Sequence, residues 1–377
     1  MSYSFAMRKL AWISLAVLAL LTAAGAAAAP PATRNVIVIT VDGMRWQELF
    51  GGAERTLLGK DEKEIVESSA YKRFWRDAPE ERRAALMPFF WSVVAKQGQV
   101  FGDPARGSLS RVTNGLWFSY PGYSEMLAGV ADPRVDSNDK IPNPNVTVFE
   151  WLNGLPGYRG RVATFGAWDV LPYIVNAKRS GLPAGDGFPP VPEPRTDRER
   201  AINDLTEDLP PIWDGAPLDA PIMHAAIECL RTRRPRVLWV MLGETDEWAH
   251  EGRYDLYLDA AYRADRFIRR VWEMAQRMPQ YAGTTALVLA TDHGRGADHV
   301  DWANHGRRVP AAEATWSAVM GPGTPALGVR ESVTVTTAQV AATIAALLGE
   351  DFRNVVPAAA PPLPGLAAAQ PTTSQKR

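Results

Sequence analysis

The sequence predicts an α/β protein with a mostly parallel central sheet, helices on both faces and loop insertions over the strand ends. Three observations carry that prediction. Apolar runs of strand length at 35–40, 237–242 and 286–290 alternate with amphipathic segments of helix length, the order of a wound sheet rather than of hairpins. The runs are continuously apolar instead of alternating, as strands covered on both faces must be. Each run also empties into polar chemistry: Asp42 after the first, Asp246 and His250 after the second, Asp292 and His293 after the third. A parallel sheet delivers functional groups at the carboxyl ends of its strands, so these five residues are candidates for one centre.

The elements follow in order. Arg8 and Lys9 precede an apolar run at 10–21, and small residues at 23–29 lead into Pro30 and Pro31. This is the order of a secretory signal peptide over 1–29, and the run is short of the roughly 20 residues of a membrane span. The expectation is an exported chain, periplasmic or secreted, beginning near Pro30, with no span in the mature part; an uncleaved anchor is the alternative. A catalytic domain is expected over 30–356. After the first strand, 87–96 reads as a helix with Pro88 in its first turn and Phe90, Trp91 and Val94 on one face. A strand is expected at 161–167. The Pro-, Gly- and Asp-rich stretch at about 181–221 reads as a surface insertion over the strand ends. Next come a helix at 221–231, the 237–242 strand, and an amphipathic helix at 255–277 carrying Leu258, Ala261, Ala264, Phe267 and Ile268. The 286–290 strand, a weaker one at 318–320 and a closing helix at 338–348 complete the domain. The Pro/Ala-rich end at 357–377 is expected to be a flexible tail.

Composition excludes several classes. With 377 residues and 46% hydrophobic content, the chain can bury a large core. Lys+Arg 41 against Asp+Glu 42 gives a net charge of -1, so nothing in bulk suggests a nucleic acid polymer as partner. Cys229 is the single cysteine, which excludes an intrachain disulfide and a Cys-rich metal site. No GxGxxG or GxxxxGK[ST] follows the first strand. Asp42 stands there instead, against dinucleotide or P-loop chemistry.

The polar residues suit a metal centre. Asp246 and His250 are four apart and face one way on a helix. Asp292 and His293 point to opposite faces if extended, so they share a centre only if the chain bends, which Gly294 favours. Four of the five histidines (His250, His293, His299 and His305, but not His224) lie in or just after the site segments. A mixed histidine–carboxylate shell suits zinc or manganese without choosing between them. A single Asp after a strand is commonly a helix cap. Three strand-end carboxylates with two histidines in register point instead to a hydrolytic metalloenzyme.

The pattern resembles the alkaline phosphatase superfamily, and especially its type I phosphodiesterase/nucleotide pyrophosphatase branch. The segments that carry the resemblance are VITVDGMRWQELF (38–50), ETDEWAHEGRY (244–254), TDHGRG (291–296) and NHG (304–306), followed by WSAVMGPG (316–323). The resemblance implies an alkaline-phosphatase-like fold and two divalent metal ions, zinc or manganese. Asp42, Asp292 and His293 would bind one ion; Asp246, His250 and His305 would bind the other, with His299 competing for the role of His305. A Ser or Thr nucleophile is implied at a helix start. Aligned on Pro121 and Gly129 of FSYPGYSEMLAG (118–129), that residue is Ser119, which would also touch a metal; Ser124 and Thr113 are the rivals. A serine hydroxyl needs such activation. Ser119 also suits the plainer role of helix N-cap.

Two departures from the branch stand out. Gly122 follows Pro121 where the branch commonly has Asn. An amide that contacts the transferring group would come from Asn138, with Asn143 and Asn145 as alternatives. Ser119-Tyr120-Pro121 begins like a sulfatase formylglycine motif, yet Tyr123 stands where Arg is expected. Arg45, Arg295 and Lys140 are further candidates for contact with non-bridging oxygens, and Trp248 and Tyr254 for the leaving-group side. The implied function is hydrolysis of a small-molecule phosphoric ester, diester or monoester, by in-line displacement between two ions roughly 4 Å apart. Phospho-group transfer, sulfatase-like hydrolysis and a metal-stabilised binding role remain the alternatives.

Overall fold

The computed structural model describes residues 33–185 and 187–366. The segment 1–29, expected to be a signal peptide, and the last part of the tail, 367–377, lie outside the described residues. The core is a seven-stranded sheet in the order β4-β5-β1-β6-β7-β2-β8. The strands are β1 (Asn35–Val41), β2 (Gly98–Phe101), β4 (Val162–Gly166), β5 (Val237–Leu242), β6 (Thr285–Ala290), β7 (Ser317–Met320) and β8 (Gly328–Val329). The block β4-β5-β1-β6 is parallel throughout, and β7 runs antiparallel to both β6 and β2. A separate parallel pair joins β3 (Ser108–Arg111) to β9 (Val333–Thr336).

The strands expected from continuous apolar runs are buried at every position of β1, β5 and β6. Their side chains alternate between two cores. Ile37, Ile39, Leu238, Val240, Leu287 and Leu289 face the helices Asp219–Thr232 and Tyr254–Arg277. Val36, Val38, Trp239, Met241, Ala286 and Val288 face the helices Ser119–Ala128, Val148–Gly154 and Gln339–Leu347. Trp239 anchors the second core, 5.4 Å from the Phe149 ring and 5.8 Å from that of Tyr123. Among the described residues, no helix is long and apolar enough to cross a membrane.

Three segments differ from the sequence reading. The 87–96 helix is present but contains a π-helical turn at Phe90–Val94. Its start is fixed from outside: the Asp265 carboxylate, on the Tyr254–Arg277 helix, accepts the amides of Phe89 (2.8 Å) and Phe90 (2.7 Å). Burial pushes this carboxyl up to about 6. Asp265→Ala leaves two buried N–H groups without an acceptor and is expected to lower unfolding free energy by about 2–4 kcal/mol. A urea midpoint within error of wild type would refute that.

The 181–221 insertion is not all loop. It holds the helix Asp197–Glu207, opened by a capping box of Thr196 and Glu199, with Ile202 packed on Val191 and Ala225. The Thr-x-x-Glu signature was legible before a segment whose apolar face is too sparse to advertise a helix. The tail is also ordered at its start. Ala359 and Leu363 are buried, and the Leu363 amide donates to Thr343 Oγ1 while that of Ala360 donates to the Gly129 carbonyl. A Pro/Ala composition without periodicity concealed two apolar anchors that fit an existing helix surface.

Candidate active site

Register brings the three strand ends level. Val41 lies opposite Leu242 across β1 and β5, and Thr40 lies opposite Ala290 across β1 and β6. Asp42 leaves β1 with its amide bonded to the Leu242 carbonyl. The next residue, Gly43, has φ +56°, and a Cβ there would stand 2.5 Å from Asp246 Oδ1 and 3.2 Å from His293 Cε1. Only glycine lets the three segments close to this distance.

After β5 the chain turns into the short helix Glu244–His250, which presents Asp246 and His250 on one side; His250 Nε2 is 3.1 Å from Asp246 Oδ2. The start of this helix is gripped by Asp219, whose carboxylate accepts the amides of Gly243 (2.7 Å) and Glu244 (3.3 Å). Glu244 in turn accepts the Asp219 amide. After β6 the chain bends at Asp292, and the bend turns both Asp292 and His293 into the site. Asp292 Oδ1 accepts the Gly43 amide at 3.2 Å, and its Oδ2 has no hydrogen-bond partner.

The structure gathers the residues read from the sequence into two groups, Asp42 with Asp292 and His293, and Asp246 with His250 and His305. Within each, one ligand atom per residue lies within 4.8 Å of the others. The groups adjoin: His293 Nε2 is 3.3 Å from Asp42 Oδ1 and 3.8 Å from Asp246 Oδ1. His293 Nδ1 is bonded to the Gly294 carbonyl and His305 Nδ1 to that of Trp117. Those carbonyls hold the proton on Nδ1, so each Nε2 lone pair faces the site.

Ser119 begins the helix Ser119–Ala128. Phe118 is the N-cap, so the serine hydroxyl is not spent on capping. Ser119 Oγ stands 3.3 Å from His293 Nε2 and 3.4 Å from Asp42 Oδ1. The loop ahead of it is held by the buried Glu125, which accepts from Thr113 N and Oγ1, Asn114 N and Thr337 Oγ1. That loop also supplies the Trp117 carbonyl to His305. Glu125→Ala is therefore expected to cost on the order of 3 kcal/mol of stability and to depress turnover along with it. Unchanged thermal unfolding would show that the loop is held by other contacts.

The electrostatics are those of a cation site. Burial, and then the Asp246 charge, raises the Asp42 carboxyl well above its usual range. Asp292 is raised the same way, by burial and then by Asp42. Asp246 is lowered well below its usual range, because the buried Arg295 guanidinium, with His305 and His250, outweighs the opposing effect of burial. His250 Nε2 and His305 Nε2 also lie 2.9 Å apart, both beside Asp246. Like charges at these distances call for positive charge between them, and Asp292 Oδ2, with no hydrogen-bond partner, is an available ligand atom. The residues present thus fit divalent cations.

A cavity of about 180 Å³ opens over both groups, lined by Asp42, Ser119, Asp246, His250 and His305. Trp168, Glu247, Asn138 and Gly243 also line it. Asn138 Oδ1 accepts the Tyr120 amide at 3.0 Å, which leaves its amide nitrogen as the available donor. Nothing in the sequence pointed to Trp168, which lies in the loop after β4. Glu247 was visible only as a neighbour of Asp246; burial, then Asp246, pushes it up to about 7.

Other candidates fall elsewhere. Ser124 is buried and bonded to Asn143, and Thr113 belongs to the Glu125 cradle. His299 is exposed outside both groups. Asn143 bonds Ser124 and the Ile174 carbonyl, and Asn145 meets Arg134. Arg45 is buried against Glu48 and Glu54, Lys140 pairs with Asp169 on the surface, and Arg295 is committed to Asp246 and the Ala303 carbonyl. Tyr254 donates to Glu48, away from the cavity. Gly122 packs on Asp292, where a Cβ would stand 2.8 Å from its carbonyl oxygen, so the position has no room for the branch's Asn.

No protein-family model and no curated protein sequence matches the chain. Solved structures do. The lipoteichoic acid synthase LtaP from Listeria monocytogenes superposes with a TM-score of 0.53 at 11% identity, covering 85% of this chain and 73% of that one. Ps i-CgsB in complex with k-i-k-neocarrahexaose gives 0.51 at 15% identity, over 88% and 75%. The phosphonate monoester hydrolase SpPMH from Silicibacter pomeroyi gives 0.50 at 15% identity, over 87% and 77%. The likeness is one of fold: the chain shares with these proteins an α/β fold built on a mostly parallel sheet with helices around it.

Proposed function

We propose that this chain is an exported, metal-dependent hydrolase of phosphoric esters that prefers diesters, with Ser119 as nucleophile. The observation that carries the reading is the position of Ser119 Oγ, uncommitted to capping and within 3.4 Å of both Asp42 and His293. Asp42, Asp292 and His293, with Ser119 itself, would hold one divalent ion and Asp246, His250 and His305 the other, zinc or manganese. Bound there, the ions would supply the charge that lowers the pKa of the serine hydroxyl and offsets charge on the entering and leaving oxygens.

The chain's own groups do the rest. Ser119 Oγ forms a bond to phosphorus while the bond to the leaving alcohol breaks, and water then releases the phosphoryl group from the serine. The helix N-terminus behind Ser119 favours the anion. Asn138 offers its amide nitrogen at the rim. The choice of diester rests on charge: among the described residues no Lys or Arg lines the cavity, whereas Asp42, Asp246 and Glu247 do. With Asp42 and Asp246 engaged by the ions, the second negative charge of a monoester would find Glu247 and no side-chain cation, whereas a monoanionic diester carries half the charge. A sulfatase reading needs an Arg where Tyr123 is buried against Trp239.

The test compares 4-nitrophenyl methyl phosphate, 4-nitrophenyl phosphate and 4-nitrophenyl sulfate on the zinc- or manganese-loaded chain. The diester is expected to lead in kcat/KM by about tenfold or more, corresponding to about 1.4 kcal/mol in transition-state binding. A monoester or sulfate lead would overturn the preference.

A further inference from the structure

The two ligand groups differ in charge. Asp42 and Asp292 bring two carboxylates to the first, and among the described residues neither forms an ion pair with a Lys or Arg. Their nearest cation-capable side chain is His293, at 3.3 and 3.5 Å. The second group has one carboxylate, Asp246, and it is already paired: Arg295 Nη2 bonds Asp246 Oδ1 and, at 2.9 Å, the Asp246 carbonyl. With neutral imidazoles, the first group carries two negative charges, and the second is cancelled by its guanidinium.

Arg295 is built into the site. It is 1% exposed, and its Nη1 donates to the Ala303 carbonyl at 2.6 Å. Asp246 is its only carboxylate partner among the described residues, and its Nε has no hydrogen-bond partner at all. A Cβ on Gly43 would stand 3.0 Å from that Nε, so the backbone at the end of β1 packs directly against the guanidinium. A charge held this deep is screened little by water or salt. The two carbonyl bonds keep it in place when an ion arrives.

Resting on the two-ion hydrolase reading above, we propose that Arg295 makes the groups fill in order. Asp42, Asp292 and His293 take the first ion; Asp246, His250 and His305 take the second, more weakly. The guanidinium already gives Asp246 the positive charge an ion would bring, and it repels an ion arriving beside it. Asp246 Oδ2, 3.1 Å from His250 Nε2, is the oxygen it leaves open. Glu247, the third carboxylate of the cavity, belongs to neither group. Because the displacement uses both ions, turnover follows the free metal concentration over the range in which the second group fills.

The test titrates Mn²⁺ alone into the metal-free full chain. Calorimetry reads the stepwise Kd values, and electron paramagnetic resonance shows a coupled two-manganese signal once both groups are filled. Wild type is expected to bind one ion about a hundredfold or more tightly than the other. His250→Asn should keep the tight step and lose the weak one. Arg295→Gln, which retains a donor for Asp246 but drops the charge, is expected to tighten the weak step by about tenfold or more, whereas Arg295→Lys leaves it within about threefold. A guanidinium that merely orients Asp246 has the opposite signature, a weaker second ion in Arg295→Gln. That result, equal affinities in wild type, or loss of the tight step in His250→Asn overturns the proposal; the last two stand even if Arg295→Gln does not fold. No substrate is involved, so ordered filling in a chain that turns over none of the esters counts against the hydrolase reading alone. Unordered filling alongside diester turnover counts against Arg295 alone.

Discussion

Ser119→Ala is expected to lower kcat by on the order of 10⁴ or more, with metal content and thermal midpoint nearly unchanged. The size follows from what the hydroxyl does. Among the described residues it is the only serine oxygen bonded to Asp42 and His293, and Ser124, the nearest rival, is tied to Asn143. The fold should tolerate the change because Phe118, not Ser119, occupies the N-cap, so no capping bond is lost. Metal content should hold because the carboxylates and imidazoles remain. A variant that keeps a tenth of wild-type kcat would place the nucleophile elsewhere, with water as the first suspect. Rapid-quench trapping of a phosphorylated wild-type chain, absent in the variant, would test the same point independently.

The second large effect concerns Asp292→Asn, and it has two opposite signs. In the metal-free protein the substitution is expected to raise the thermal midpoint by a few degrees, on the order of 1–2 kcal/mol. Asp292 is fully buried beside Asp42, its Oδ2 has no hydrogen-bond partner, and both carboxyls are driven above their usual range by burial, Asp42 then by the Asp246 charge and Asp292 then by that of Asp42. Removing one charge relieves that repulsion. With zinc or manganese present the order should reverse. Wild type gains stability in proportion to RT ln(1 + [L]/Kd), and the variant, short of one ligand, gains far less. Activity is expected to fall by on the order of 10³ or more. Differential scanning calorimetry with and without metal reads both signs. If Asp292→Asn is less stable in the absence of metal, the carboxylate is a structural acceptor for Gly43 rather than a group waiting for a cation.

Much of this was legible in the sequence, for a physical reason. Strands buried on both faces must be continuously apolar, so β1, β5 and β6 announced themselves, and Asp42, Asp246, His250, Asp292 and His293 stood at their ends. What the sequence could not show was the support. Asp219 and Glu125 sit on helices that look amphipathic and ordinary, and only the fold reveals that their carboxylates hold Gly243, Thr113 and Asn114. The short strands β2, β8 and β9 have no period to read, being two to four residues long. Trp168 came into view only when the loop after β4 was placed beside Gly243. Gly122, a departure from the resembled branch on paper, became intelligible once the Asp292 carbonyl was found against it.

The place of β1 in the sheet also sets a timetable. It lies between β5 and β6, so the first strand to leave the ribosome cannot bond either neighbour until about 200 and then about 240 further residues follow. At roughly 5–20 residues per second, that is a delay on the order of 10–50 s. Throughout it Asp42 can hold no ion by itself, because its partners Asp292 and His293 have yet to be made. A chain truncated before β6 would leave one edge of β1 unpaired and would lack Asp292, His293 and His305, so neither ligand group could form.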